Sequence, residues 1–167
     1  MIVIGIDPSL TSTGICTPTD VWTAPDPRYK GDRRLHDLWL QVNMAVTGLD
    51  EPALAIIEDL PTHAHGAGKT GMAQGVVRHC LIDNGIEYVT VVASTLKKFA
   101  TGKGNCGKPD MRMELYKRTG LDIPDDNQVD AWWLRQIGLH LIEDPGRIDL
   151  PKTHLAALDK IRPAVAA

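Results

Sequence analysis

The sequence predicts a mixed α/β fold: a five-stranded sheet made of a three-strand antiparallel meander followed by β–α alternation, flanked by helices on both faces. Three observations predict it. Short apolar, β-branched runs recur near residues 2–6, 14–17, 21–23, 54–58 and 88–92. The first three are separated only by turn-rich stretches, as strands joined by hairpins are. From residue 32 onward the remaining runs alternate with segments of helical periodicity.

Residues 2–6 make the first strand, which Asp7 closes, and Pro8 with the Ser9-to-Gly14 stretch turns the chain. Gly14 to Thr17 and Val21 to Thr23 complete the meander, and Pro25, Pro27 and Gly31 mark a loop. Leu35, Leu38, Trp39, Val42 and Val46 recur at helical spacing, predicting an amphipathic helix over 32–47. Pro52 precedes the strand 54–58, which ends at Glu58. A loop rich in Pro, Gly and His runs from Leu60 to Lys69, and a helix over 71–83 is stopped by Asn84-Gly85. Residues 88–92 form the fifth strand. A short helix near 95–100 stops at Gly102, and another opens at Pro109 and ends at Gly120. The last large helix covers 127–142, with Asp125 or Asp126 able to cap it. Residues 1–143 are expected as one domain, and 144–167, with three prolines and no clear periodicity, as a partly ordered tail.

At 167 residues the chain can bury a substantial core, and 43% hydrophobic with 23% charged residues is ordinary globular composition. No apolar stretch approaches the ~20 residues needed to cross a bilayer, so no membrane partner is expected. Met1 runs straight into a strand without a charged leader, which gives no sign of secretion. Cys16, Cys80 and Cys106 are odd in number and show no paired spacing, which reads as reduced thiols in a cytoplasmic setting. The net charge of −3 excludes a generally basic nucleic-acid binder but hides an asymmetry. Between Thr95 and Arg118, Lys97, Lys98, Lys103, Lys108, Arg112, Lys117 and Arg118 face only Asp110 and Glu114, and Asp122, Asp125, Asp126 and Asp130 follow. Cations beside carboxylates suit a phosphate backbone next to metals, although a solvated helix face has the same composition.

Asp7, Glu58 and Asp130 carry the chemistry. Two end apolar strands and the third sits where an apolar helix begins. Carboxylates there are costly unless something positive neutralises them. Mg²⁺, which takes hard oxygen ligands from carboxylates and substrate phosphates, is the natural partner, with Mn²⁺ able to substitute. The pattern points to a metal-dependent phosphodiester enzyme.

Gly5-Ile6-Asp7-Pro8-Ser9 with Thr13-Gly14, Ile56-Ile57-Glu58, Lys97 to Asn105 with Lys108, and Asp126-Asn127 with Asp130-Ala131 together resemble RuvC-type Holliday junction resolvases. The resemblance spans about residues 1–142, and the divergent loops look like the bacteriophage branch. It implies an RNase H-like fold, a homodimer, four-way DNA junctions as substrate, and paired symmetric nicks by two-metal hydrolysis. Asp7, Glu58 and Asp130 become metal-binding catalytic acids. The family's fourth ligand lies one helical turn before the last acid, where both Asp126 and Asn127 share a face with Asp130. Lys97 and Lys108 match bases that hold the scissile phosphate, Lys108 as a catalytic group, and Lys69, Lys98, Lys103 and Arg112 are further candidates for DNA contact. Many cellular members carry an aromatic soon after the catalytic Glu. Here Glu58 is followed by Asp59-Leu60-Pro61-Thr62-His63-Ala64-His65, with none.

Other signals are weaker. Gly66-Ala67-Gly68-Lys69-Thr70 imitates the end of a phosphate-binding loop, but His63 stands where that motif needs its first glycine. His63 and His65 alternate without a cysteine cluster, against zinc, and can equally stack on bases or sit in solvent. Trp22, Trp39, Trp132 and Trp133 suit core or dimer interface; the adjacent pair cannot share one helix side, so one of them should meet the sheet or a partner subunit. Three alternatives stay open: a fragment of an actin-like or sugar-kinase fold, a binding-only protein that lost its fourth ligand at Asn127, and a nuclease of broader taste for flaps, forks or RNA–DNA hybrids.

Overall fold

The computed structural model describes residues 1–49, 51, 53–60 and 67–161. Five strands, β1 (Ile2–Asp7), β2 (Thr13–Cys16), β3 (Val21–Ala24), β4 (Ala53–Glu58) and β5 (Glu87–Val91), form one sheet in the order β3-β2-β1-β4-β5. The β1–β2 and β2–β3 pairs are antiparallel, whereas β4 joins β1 and β5 joins β4 in parallel. The meander and the β–α alternation are therefore both present, in the expected order. Parallel strands need crossovers, and the helices supply them.

Side-chain alternation divides the core in two. Ile4, Ile6, Ile15, Ala55 and Ile57 point to one face, where α1 (Arg33–Val46) and α2 (Ala67–Asp83) add Leu38, Val42, Val77 and Leu81. Val3, Leu54, Ile56, Val89 and Val91 point to the other. There they meet α3 (Ala93–Thr101), α4 (Lys108–Thr119) and α5 (Asp126–Leu141) through residues such as Phe99, Met111, Trp133 and Ile137. Gly102 and Gly120, at φ 78° and 74°, take the left-handed conformation that ends α3 and α4 where the sequence placed their stops.

The structure corrects one expectation and gives detail to two more. The helix predicted to open near 71 begins at Ala67, so the loop before it is shorter. Trp132 and Trp133 are both buried within this chain. They meet edge-on at 5.0 Å, and Trp133 donates its indole N–H to the Met111 carbonyl at 3.2 Å, so neither is left for a partner subunit. The segment after residue 143, expected as a partly ordered tail, is packed against the body of the protein as far as Ile161. A short helix α6 (Lys152–Leu155) and a 3-10 turn (Leu158–Lys160) bury His154, Ala157, Leu158 and Ile161 against the α3–α5 side. Its prolines break periodicity without preventing packing. His154 Nδ1 lies 2.9 Å from the Phe99 carbonyl, and the Gln136 side chain accepts from Ile148 N at 3.1 Å. Residues 162–167, the His63 and His65 loop, and Gly66 lie outside the described residues. No helix among the described residues is long and apolar enough to cross a membrane.

Candidate active site

The site grows from a strand register. Ile6 lies opposite Ile57 across the parallel β1–β4 pair, so Asp7 and Glu58 are the next residues of two adjacent strands at the same sheet edge. Side chains two apart share a face. Asp7 therefore follows Val3 and Gly5, and Glu58 follows Leu54 and Ile56, onto the face that α5 covers.

Two glycines of the sheet bring α5 down to these acids. A Cβ on Gly5 would stand 2.0 Å from the Ala131 carbonyl oxygen, and one on Gly14 would stand 1.9 Å from the Asn127 carbonyl oxygen. Gly138 does the same from the helix side, since a Cβ there would meet Val3 at 2.4 Å and Ile56 at 2.8 Å. These contacts seat the first turns of α5 against β1 and β2, and Asp130 with them. Of the two possible caps, Asp125 is the one used: its Oδ1 accepts from Asn127 N at 2.9 Å and Gln128 N at 3.2 Å. Asp126 is thereby free for other work.

Electrostatics ties the acids together. Burial, then the charges of Glu58 and Asp130, push the Asp7 carboxyl well above the usual carboxylate range, against the pull of Lys108. Glu58 is pushed up to about 7 by burial and by Asp130, with Lys97 and Lys108 opposing. Asp130 rises to about 6 through burial, opposed by Lys108 and Lys97 and reinforced by Asp126. Four carboxylates thus face two ammonium groups, a deficit of positive charge in a partly desolvated place. The donor set is all hard oxygen with no thiolate or imidazole among these acids, which suits Mg²⁺ or Mn²⁺. Among the described residues, however, no three His, Cys, Asp or Glu side chains already stand as a group able to hold a metal ion.

The two candidates for the fourth ligand part company. Asp126 Oδ2 lies 3.8 Å from Lys108 Nζ, and its charge reaches Asp130. Asn127 donates its amide N–H to the Ser12 hydroxyl at 3.0 Å, which ties the start of α5 to the β1–β2 turn and leaves its amide oxygen as a candidate metal ligand without charge. Among the bases, Lys97 and Lys108 are brought to the acids. The others are not seen there. Arg112 is committed to Asp122, Nη2 to Oδ1 2.6 Å; Lys117 and Arg118 both pair with Glu114; Lys103 and Lys69 are exposed and Lys98 half-buried. The basic stretch is therefore less positive at its surface than its composition suggests.

Sequence reasoning missed what holds Glu58. Gln74, buried in α2, donates its amide to the Glu58 carbonyl, and Arg78 pairs with Asp59 at 3.2 Å while lying 6.0 Å over the Tyr88 ring. Asp59 N continues the ladder to the Val91 carbonyl. Gln74 and Arg78 are i and i+4 on one helix, a spacing that places them on one face but does not tell which strand they serve.

The architecture is the RNase H-like fold, with acids at the ends of the first and fourth strands and on the last large helix. No family model matches the chain. The sheet and its helices superpose on Thermus thermophilus RuvC with a TM-score of 0.66 at 18% identity, covering 86% of this chain and 97% of that one. The T. thermophilus RuvC solved in complex with Holliday junction substrate gives the same TM-score and identity over 81% of this chain and 90% of its own. In sequence the chain is 28% identical over 142 residues to the crossover junction endodeoxyribonuclease RuvC of Chromohalobacter salexigens, covering 78% of this chain and 76% of the relative. The enzyme of the same name from Hahella chejuensis is also 28% identical over 142 residues, covering 77% and 80%.

Proposed function

We propose that the chain is a metal-dependent endonuclease that resolves four-way DNA junctions by paired nicks, acting as a homodimer. The observation that carries this reading is the in-register placement of Asp7 and Glu58 under the start of α5, with Asp130, Lys97 and Lys108 in electrostatic reach. The RuvC relatives and the junction-bound neighbour support the substrate.

Asp7, Glu58, Asp126 and Asp130 would hold the metal, with Asp126 as fourth donor because its charge is the one Asp130 feels. When bound, a pair of Mg²⁺ or Mn²⁺ ions supplies an activated water and steadies the departing oxygen. The chain's own residues do the rest. Lys108 and Lys97 offset charge on the scissile phosphate, where preorganised cations contribute most. Seated at Gly5 and Gly14, α5 keeps the acids from drifting apart. No side-chain nucleophile is required: Cys16 lies buried with its thiol pushed up to about 12, chiefly by burial.

A labelled immobile four-way junction, a linear duplex and a flap, each incubated with Mg²⁺ or with EDTA, test the reading. Paired symmetric nicks confined to the junction and dependent on Mg²⁺ are expected. Equal cutting of the flap would keep the chemistry and discard junction selectivity, and binding without cutting at any Mg²⁺ or Mn²⁺ concentration would overturn the enzyme.

A further inference from the structure

We propose that the groove between α4 and residues 121–126 binds a nucleobase displaced from its stack beside the scissile phosphate, with Tyr116 as its stacking platform. The inference rests on the reading of the chain as a nuclease for branched DNA. Pro109, Arg112, Met113 and Tyr116 recur at helical spacing along one face of α4, and Asp122 and Asp126 form the opposite wall of a groove of about 480 Å³. That volume falls within the ~300–1,000 Å³ of small-ligand sites.

The composition of the groove fits a base better than a backbone. Tyr116 is 53% exposed, more than any other described aromatic, and Met113 beside it is 52% exposed. Phe99, Trp132 and Trp133, by contrast, are buried in edge-on contacts with one another. An unstacked aromatic face next to a polarizable thioether is a surface on which any base can lie. Arg112 Nε and Nη2 both reach Asp122 Oδ1, at 3.0 and 2.6 Å, which leaves Asp122 Oδ2 to accept from a base's exocyclic amine. Asp122 and Asp126 would repel a phosphate from this place. The phosphate's position is instead marked at the groove's other end, where Lys108 opens α4 and pairs with Asp126 at 3.8 Å. From Lys108 to Tyr116 is eight residues, or ~12 Å along the helix, a span that a few nucleotides of unstacked strand can bridge.

The test uses full-length protein and four-way junctions carrying 2-aminopurine at successive positions flanking the cut. Fluorescence is read in Ca²⁺ and single-turnover cleavage in Mg²⁺. Wild type should change the fluorescence at one or two positions. Tyr116→Ala should lose that change and slow cleavage roughly ten-fold or more, the scale of one lost base–aromatic stack, while Tyr116→Phe keeps both. Met113→Glu, which puts a charge into the groove, should reproduce the loss and serves in place of Tyr116→Ala if that variant does not fold. If wild type cuts junctions and both variants match it in fluorescence and rate, the groove assignment is overturned and the nuclease reading stands. If wild type neither binds nor cuts branched DNA, both fall.

Discussion

Replacing Asp7 with Asn removes one charge from a place where four carboxylates face two lysines, so it should do two opposite things. Cleavage of the junction should be abolished while binding stays within a few-fold of wild type; cleavage at near wild-type rate would refute the assignment. Stability without metal should rise. Glu58 near 7 and Asp130 near 6 keep their protons in the folded state over a pH range where the unfolded chain, with ordinary carboxyls, has already lost them. The native state then binds more protons, and stability falls as pH rises from about 4 to 7. In EDTA, the wild-type Tm should drop across that window. Asp7→Asn should flatten the drop and raise the Tm at pH 8 by roughly 3–8 °C, the scale of a 1–2 kcal/mol relief in a domain of this size. A Tm that climbs with pH over the same window would show that the acids do not repel one another. The fourth donor separates by a similar single change. Asp126→Asn should raise the Mg²⁺ needed for half-maximal cleavage about ten-fold, whereas Asn127→Ala should leave it within two-fold; the reverse pattern would transfer the role to Asn127.

At the scale of elements, the decisive contact is the seat of α5 on β1 and β2. Gly14→Ala would drive a methyl to 1.9 Å from helix backbone, and backbone cannot yield as a flexible side chain can. Overpacking of this kind typically costs 1–3 kcal/mol. It should also lift Asp130 away from Asp7, so cleavage should fall at least ten-fold more than junction binding does. Unchanged cleavage would mean that α5 is not held there. This seat shows which parts of the fold can be read from sequence. Strands 2–6 and 54–58 and the periodicity of α1 are local signals, and they were legible with Asp7 and Glu58 at their ends. Gly5, Gly14 and Gly138 are not, because a glycine that admits a neighbour looks the same in sequence as one that turns a chain. The segment after residue 143 was obscured for a related reason. Its buried residues Ala157, Leu158 and Ile161 span barely more than one turn, too short to display a period. A chain ending at Glu143 should therefore unfold at least 5 °C below the full protein, having lost those side chains and the His154 contact with α3.

For the whole molecule, a single site can nick one strand, but resolving a four-way junction requires two cuts related by symmetry, which a two-fold dimer provides. The face farthest from α5 offers the material. Leu40, Met44, Met72 and Ile82 lie exposed on α1 and α2, from 38% for Leu40 to 70% for Met44, and the Asn43–Asn84 hydrogen bond at 3.1 Å holds the two helices together beside them. Exposed large apolar side chains on one helical layer supply contact area for a partner. A dimer formed there would leave α4, α5 and the carboxylates of both copies open to DNA, since these occupy the opposite side of the sheet. Wild type should sediment as a dimer at micromolar concentration, and Met44→Glu combined with Ile82→Glu should shift it to monomer, because burying two new charges against their symmetry mates is prohibitive without partners. The monomeric variant should retain the fold and the Asp7 site. On a junction embedded in a supercoiled cruciform it should give singly nicked circles in place of the linear product that two coordinated nicks create. Linear product from a demonstrably monomeric variant would separate the second cut from dimerisation.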